Sequence, residues 1–243
     1  MPSSHWNQIE TIIDICRKLD PKRVVDIGCG FGKFGFLLRE YLDVWKGRYH
    51  FGEWQVIIDA VEPHKEYIGV LQKRLYNFIF YGTAQNFFLV HTPSTKKSKY
   101  DLGLFIDVIE HLDTYDATFT LERALKCCKS ILVVTPKKWY PQDEEIDWEK
   151  HRSHWQKKDF KKMGKCQFFR NNRALIVLIN AKVSKHEFKK RLRNKLALLK
   201  KKAFKCPNCK VDLTPDEFVL RPDNILIKGF SCGNCLGFFE GVE

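Results

Sequence analysis

The sequence predicts an α/β protein: a doubly wound, mainly parallel seven-stranded sheet that ends in an antiparallel hairpin, followed by a small C-terminal module. Three observations predict it. Short apolar runs alternate with helix-period segments between residues 20 and 136. Two β-rich runs, residues 165–169 and 174–180, then flank the turn-like Arg170 to Arg173. Finally, four of the nine cysteines fall into two CxxC pairs after residue 205.

Taken in order, Trp6, Ile9, Ile12, Ile13 and Cys16 recur at intervals of three and four, a helical stripe over residues 5–19. Asp20 and Pro21 stop it, because the residue before a proline is pushed out of the helical region. "RVVDIG" is a buried strand, and "FGKFGFLLREYL" a helix that opens directly after glycines. "WQVIIDAVEP" is a second strand and "HKEYIGVLQKRLY" its helix; "NFIFYG" is a third strand, with a looser segment to Lys99. "YDLGLFID", the helix "TYDATFTLERALKCC" and "SILVVTP" complete the alternation. Apolar strands separated by helices imply a parallel sheet covered on both faces. The main domain is therefore 1–180.

Composition bounds the rest. A chain of 243 residues that is 44% hydrophobic and 29% charged is globular, with room for one full domain and an appendix. It contains no run of eighteen apolar residues, and its opening stretch has no apolar signal core, so a cytoplasmic protein without a membrane span is expected. The net charge of +13 is concentrated: residues 181–210 hold twelve Lys or Arg against Glu187 alone, which leaves +2 for everything else. Residues 182–203 read as helical, with a narrow seam of Phe188, Leu192, Leu196 and Leu199, and 181–203 is expected to be a connector helix. Its charge suits either a solvated face or a grip on phosphates. Cys16, Cys29, Cys127, Cys128 and Cys166 have no ligand spacing and are expected to be reduced.

The glycine loop "DIGCGFGKFG" is the first place to look for a ligand, since doubly wound sheets bind at the carboxyl ends of their strands. Two patterns overlap there. Asp26 with Gly28, Gly30 and Gly32 is one; Gly30, Gly32 and Gly35 form the other, the dinucleotide fingerprint. A dinucleotide places its pyrophosphate at the helix N-terminus, and a carboxylate at the lip of the loop, as Asp26 is expected to be, repels it. A cationic ligand is favoured instead. The fingerprint also wants an acid about 20 residues on, whereas Glu62 lies thirty-two residues after Gly30. The polar insertion "DVWKGRYHFGE" accounts for that difference equally well. No Gly-Lys-Ser/Thr follows, which excludes a Walker A loop.

"VVDIGCGFG", then "VEP", "YDLGLFIDVIEHL" and "SILVVTP", resemble successive motifs of the class I S-adenosylmethionine-dependent methyltransferases over roughly residues 20–180. The resemblance implies S-adenosyl-L-methionine as co-substrate and a seven-stranded sheet with a closing hairpin. It implies that Asp26, Gly28, Cys29, Gly30 and Gly32 surround the methionine part and that Glu62 takes the ribose hydroxyls. Asp107 would border the cofactor near the methyl group, with His111 facing the cofactor end and Ala84 among the cofactor-binding residues. Where the family often has an acid after the third strand, this chain has "YGTAQ", with Thr83 and Gln85. The run from Phe31 to Trp45 and "HRSHW" also resemble a bacterial subgroup tied to glycan assembly.

A sulfonium is an activated donor, so transfer depends mainly on alignment, with a general base for a hydroxyl acceptor. His151 and His154 are the expected bases; a loop histidine capping the "KKDFKKMG" helix is the structural alternative. The expected acceptor is a small molecule or sugar hydroxyl. RNA held by residues 181–243 is the competing acceptor, and a catalytically inactive nucleic-acid-binding adaptor a third reading. Cys206, Cys209, Cys232 and Cys235, two knuckles 22 residues apart, predict a four-cysteine zinc ribbon over 204–243 with one structural Zn. Two pairs among β-like runs do not match a thioredoxin-type redox site.

Overall fold

A computed structural model describes residues 4–91, 100–139 and 147–180, together with the backbone of Ala181 and of 214–220, 225–232 and 237–240. The chain divides into two compact units, Met1–Val183 and Ser184–Glu243. Of the expected connector helix only Ala181 is described, and it is strand; the rest lies outside the described residues, as do Cys206, Cys209 and Cys235, and of Cys232 only the backbone is described.

In the first unit, α1 (Ile9–Leu19) leads into β1 (Arg23–Ile27), α2 (Lys33–Leu42), β2 (Ile57–Val61), α3 (Val70–Leu75), β3 (Phe78–Phe80), α4 (Ala84–Val90) and β4 (Tyr100–Ile106). Then come α5 (Thr114–Cys127), β5 (Cys128–Pro136), α6 (Lys157–Lys161), β6 (Gly164–Phe169) and β7 (Ala174–Ala181). The seven strands are ordered β3-β2-β1-β4-β5-β7-β6. Pairings through β5 are parallel, and β7 is antiparallel to both β5 and β6. This is the predicted sheet with its closing hairpin.

Strand alternation divides the core between two faces. Val25, Phe105, Val133 and Val177 pack on one side with Phe87 and Leu121. Val24, Leu104, Leu132 and Ile176 pack on the other with Leu38 and Ile12. The strand order reverses between β1 and β4, so the carboxyl ends of β1, β2 and β4 diverge there and leave a crevice.

Three segments differ from the sequence reading. Residues 84–90 are helical rather than loose: Thr83 caps α4 by accepting from Asn86 N–H, and Phe87 and Phe88 are wholly buried. Burying each ring contributes about 1.5–3 kcal/mol, enough to order a short helix. The helix after β2 is shorter than "HKEYIGVLQKRLY". Gly69 is extended, its N–H donates to Gln72 Oε1 at 2.9 Å, and only Val70–Leu75 is α-helical. Trp6 leaves the stripe of the first helix: it stands in a 3-10 turn, 76% exposed.

The insertion between α2 and β2 is pinned by one buried acid. Asp43 accepts from Arg39 at 3.0 Å, Arg48 at 2.7 Å and the backbone N–H groups of Gln55 and Val56. Arg39 also donates to Asn77 Oδ1 at 2.7 Å. The extra loop thus leaves β2 in register with β1.

In the second unit, β8 (Thr214–Leu220), β9 (Ile225–Cys232) and β10 (Gly237–Glu240) form an antiparallel three-stranded sheet of order β10-β9-β8. Cys232 pairs with Gly237 in that register.

Candidate functional site

A cavity of about 1110 Å³ opens where β1, β2, β4 and β5 end. After Ile27 the chain turns through Gly28 at φ +67° and reaches Gly32, the N-cap of α2. Only glycine suits position 28, because a Cβ there would also stand 2.7 Å from Val108 Cγ2. The Gly28 N–H donates to the Val61 carbonyl at 2.8 Å.

Glu62, directly after β2 and 3% exposed, clamps this loop. One oxygen accepts from Gly30 N–H at 2.8 Å and the other from His64 N–H at 3.0 Å. Burial pushes its pKa up, while the two N–H groups pull it down. A carboxylate offers about four lone-pair directions, so Glu62 retains acceptor capacity on the cavity.

Asp26 is not at the lip of the loop. It is 2% exposed, absent from the cavity wall, and its Oδ2 accepts from the Tyr76 hydroxyl at 2.7 Å. Burial raises its pKa to about 7; the Tyr76 hydrogen bond opposes this and the Glu62 charge adds to it. The reason is strand geometry: Asp26 pairs beside Ala60 and Leu104, and like those residues it turns under the sheet rather than out of its end. Gly32 is likewise off the wall.

Cys29 and Gly30 do line the cavity, as do Ala84, Thr83 and Gln85 at the start of α4. Burial drives the Cys29 thiol far above its usual range. The Gln85 Oε1 atom is buried without a hydrogen-bond partner among the described residues. Beside the opening, His64 and Trp148 stack at 4.1 Å with planes 21° apart.

Asp107 follows β4 with φ +52°, an uncommon conformation for a residue with a side chain. Its N–H donates to Val134 O and its Oδ2 accepts from Gln8 Nε2 at 2.7 Å. Two residues on, a 3-10 turn, Ile109–His111, carries Glu110 and His111. Glu110 is 2% exposed, and neither of its carboxylate oxygens has a hydrogen-bond partner among the described residues. Burial, then the Asp107 charge, pushes its pKa well above the carboxylate range, with Thr135 opposing. Burial also raises Asp107, while the hydrogen bonds from Gln8 and Ser4 and the Lys33 charge oppose the shift.

His111 and His151 meet here, rings 5.1 Å apart at 63°. His111 Nδ1 lies 3.3 Å from the Lys150 carbonyl, and burial, then the His151 charge, lowers its pKa. His154 is not brought in. Its Nε2 lies 3.0 Å from the Lys137 carbonyl, and it is no part of the wall. Nor does it cap α6, whose N-cap is Gln156.

Glu110 is the member of the site that sequence reading missed. An acid set inside the apolar "VIEHL", one residue before a candidate histidine, was the available signal.

No family model matches the chain, and no curated protein does. Solved structures do. The N-terminal domain of EvdMO1, crystallised in the presence of SAH and D-fucose, is 11% identical with a TM-score of 0.51, over 74% of this chain and 85% of that one. Monomeric WbdD is 16% identical with a TM-score of 0.50; the match spans 74% of this chain but 42% of WbdD. The methyltransferase domain of bacterial CtHen1-CN is 18% identical over 72% of this chain and 97% of that one, with a TM-score of 0.46. At these identities the likeness is one of fold. The first unit has an α/β methyltransferase-like fold, its parallel sheet closed by an antiparallel hairpin.

Proposed function

We propose that this protein is an S-adenosylmethionine-dependent methyltransferase that O-methylates a small-molecule or sugar hydroxyl in the cytoplasm. The observation that carries the reading is the Glu62 clamp. An acid with spare lone pairs holds the glycine turn at the strand-order reversal, beside a cavity large enough for an adenosyl group and an acceptor. Glu62 takes the ribose hydroxyls, and the backbone of Gly28, Cys29 and Gly30 faces the methionine part. Ala84 borders the adenine, where Gln85 Oε1 supplies an acceptor for its amine in place of the missing acid. Asp107 and His111 stand at the methyl end, and His151 on the acceptor side. Asp26 and Gly32 act from beneath the loop by setting its shape. A sugar acceptor is in keeping with the crystallisation of the EvdMO1 domain in the presence of SAH and D-fucose.

When bound, the sulfonium supplies the activated methyl group. This chain's own residues then orient the donor and hold the acceptor in line, which is the larger part of the catalysis for such a donor.

Two measurements test the reading. Calorimetry should show S-adenosylhomocysteine binding, at least tenfold weaker in Glu62→Ala, with no comparable response to NADH. Labelled methyl from S-adenosylmethionine should pass to a sugar or small-molecule pool rather than an RNA pool. Tight NADH binding with no response to S-adenosylhomocysteine would overturn the proposal, and transfer to RNA alone would replace its acceptor.

The C-terminal unit we read as a four-cysteine zinc module. Its support is the sequence spacing of Cys206, Cys209, Cys232 and Cys235.

A further inference from the structure

The geometry points to a divalent-cation site formed by Glu110, His111 and His151, on which the acceptor hydroxyl binds and is activated. The inference rests on the methyltransferase reading for what the ion does, but not for whether it binds.

Three features carry it. One ligand atom from each of these residues lies within 4.8 Å of the others. Ligands adjacent on a single ion stand roughly 3–3.5 Å apart, given bonds of about 2.1 Å, so small side-chain rotations close the set. Glu110 provides the second, independent observation. A carboxylate that is 2% exposed, with no hydrogen-bond partner on either oxygen among the described residues, carries a desolvation cost that Thr135 opposes only in part. A cation at this point would offset it. Third, His111 is oriented from behind. Its Nδ1 donates to the Lys150 carbonyl, which leaves Nε2 with a free lone pair, the arrangement usual for metal-bound imidazoles.

Position gives the ion a task. All three residues line the cavity beside Asp107. Two imidazoles and a carboxylate form a mixed nitrogen–oxygen set, suited to first-row ions such as Mn²⁺, Co²⁺ or Zn²⁺. Three protein ligands leave coordination positions open for substrate. An acceptor hydroxyl bound there loses its proton to water more readily. Its oxygen then forms the bond to the methyl carbon as the S–CH3 bond breaks, and that electron pair stays on sulfur as neutral S-adenosylhomocysteine. His151 acts in this scheme as a ligand rather than as the proton acceptor.

Mn²⁺ is the probe, because a thiolate set in the C-terminal unit is a poor match for it. Full-length protein stripped with chelator and titrated with Mn²⁺ should bind one ion per chain, and pulsed EPR should detect imidazole nitrogen coupled to it. Glu110→Gln keeps the shape of the side chain and removes its charge; this change and His151→Gln should each weaken Mn²⁺ binding at least tenfold while S-adenosylhomocysteine still binds. Absence of Mn²⁺ binding by the wild type overturns the inference. So does unchanged Mn²⁺ affinity in either variant that still binds S-adenosylhomocysteine. If the wild type binds Mn²⁺ in this way but not S-adenosylhomocysteine, the ion site stands and the methyltransferase reading falls.

Discussion

Tyr76 donates its hydroxyl to Asp26 across 2.7 Å beneath the glycine turn, and both groups are almost wholly buried. The loop that faces the cavity therefore rests on a polar contact made behind it. The acid nearest the glycines in sequence is a structural support, whereas Glu62, which holds Gly30 N–H, is presented to the cavity.

Stability should carry the mark of Asp26. Its pKa is raised to about 7 in the folded state, against about 3.9 when unfolded. Between those values the native state holds a proton that the unfolded state has lost, so this group's contribution is full below about pH 4 and falls away as pH rises to about 7. Asp26→Asn keeps an acceptor for Tyr76 and cannot ionise. Its melting temperature relative to wild type should therefore climb between about pH 4 and pH 7 and level off above that, as read by thermal unfolding at each pH. A constant difference would refute the assignment.

Gly35 makes the contact possible. A Cβ on this residue would stand 2.4 Å from Tyr76 Cζ, so Gly35→Ala must displace the ring and break its bond to Asp26. A loss of about 1–3 kcal/mol is expected in denaturant unfolding. In a Tyr76→Leu background the same change should cost less, a coupling that a double-mutant cycle measures.

Asp43 should be the most sensitive acid on the α2 side of the sheet. It is fully buried and neutralises Arg39 and Arg48, so Asp43→Ala leaves two cations without their partner. Breaking a buried pair in this way costs roughly 3–5 kcal/mol, which chemical unfolding would register. A change below about 1 kcal/mol would show that the insertion is held by other means.

Metal analysis tests the second unit. After dialysis against a weak chelator, one zinc should remain per chain. Cys206→Ser combined with Cys235→Ser should lose it, together with the amide-exchange protection of β8 to β10. Retention of zinc in that variant would reject the four-cysteine assignment.

The sequence by itself determined the sheet and its closing hairpin, because strand alternation and turn composition are local signals. It also determined the glycine turn and Glu62, whose places follow from lying directly after β1 and β2. The apolar spacing of Ala84, Phe87 and Phe88 was equally present in the chain, but a stripe of one turn means helix only where a core receives it. Tertiary structure alone decided which way each acid faces. Asp26 turns under the loop to Tyr76, fifty residues away, while Glu110 turns into the cavity. It also separated His151 from His154, three residues apart in an irregular segment where no period sets direction. Side-chain direction at strand ends and in loops depends on packing between distant segments, and that packing exists only once the sheet has brought them together.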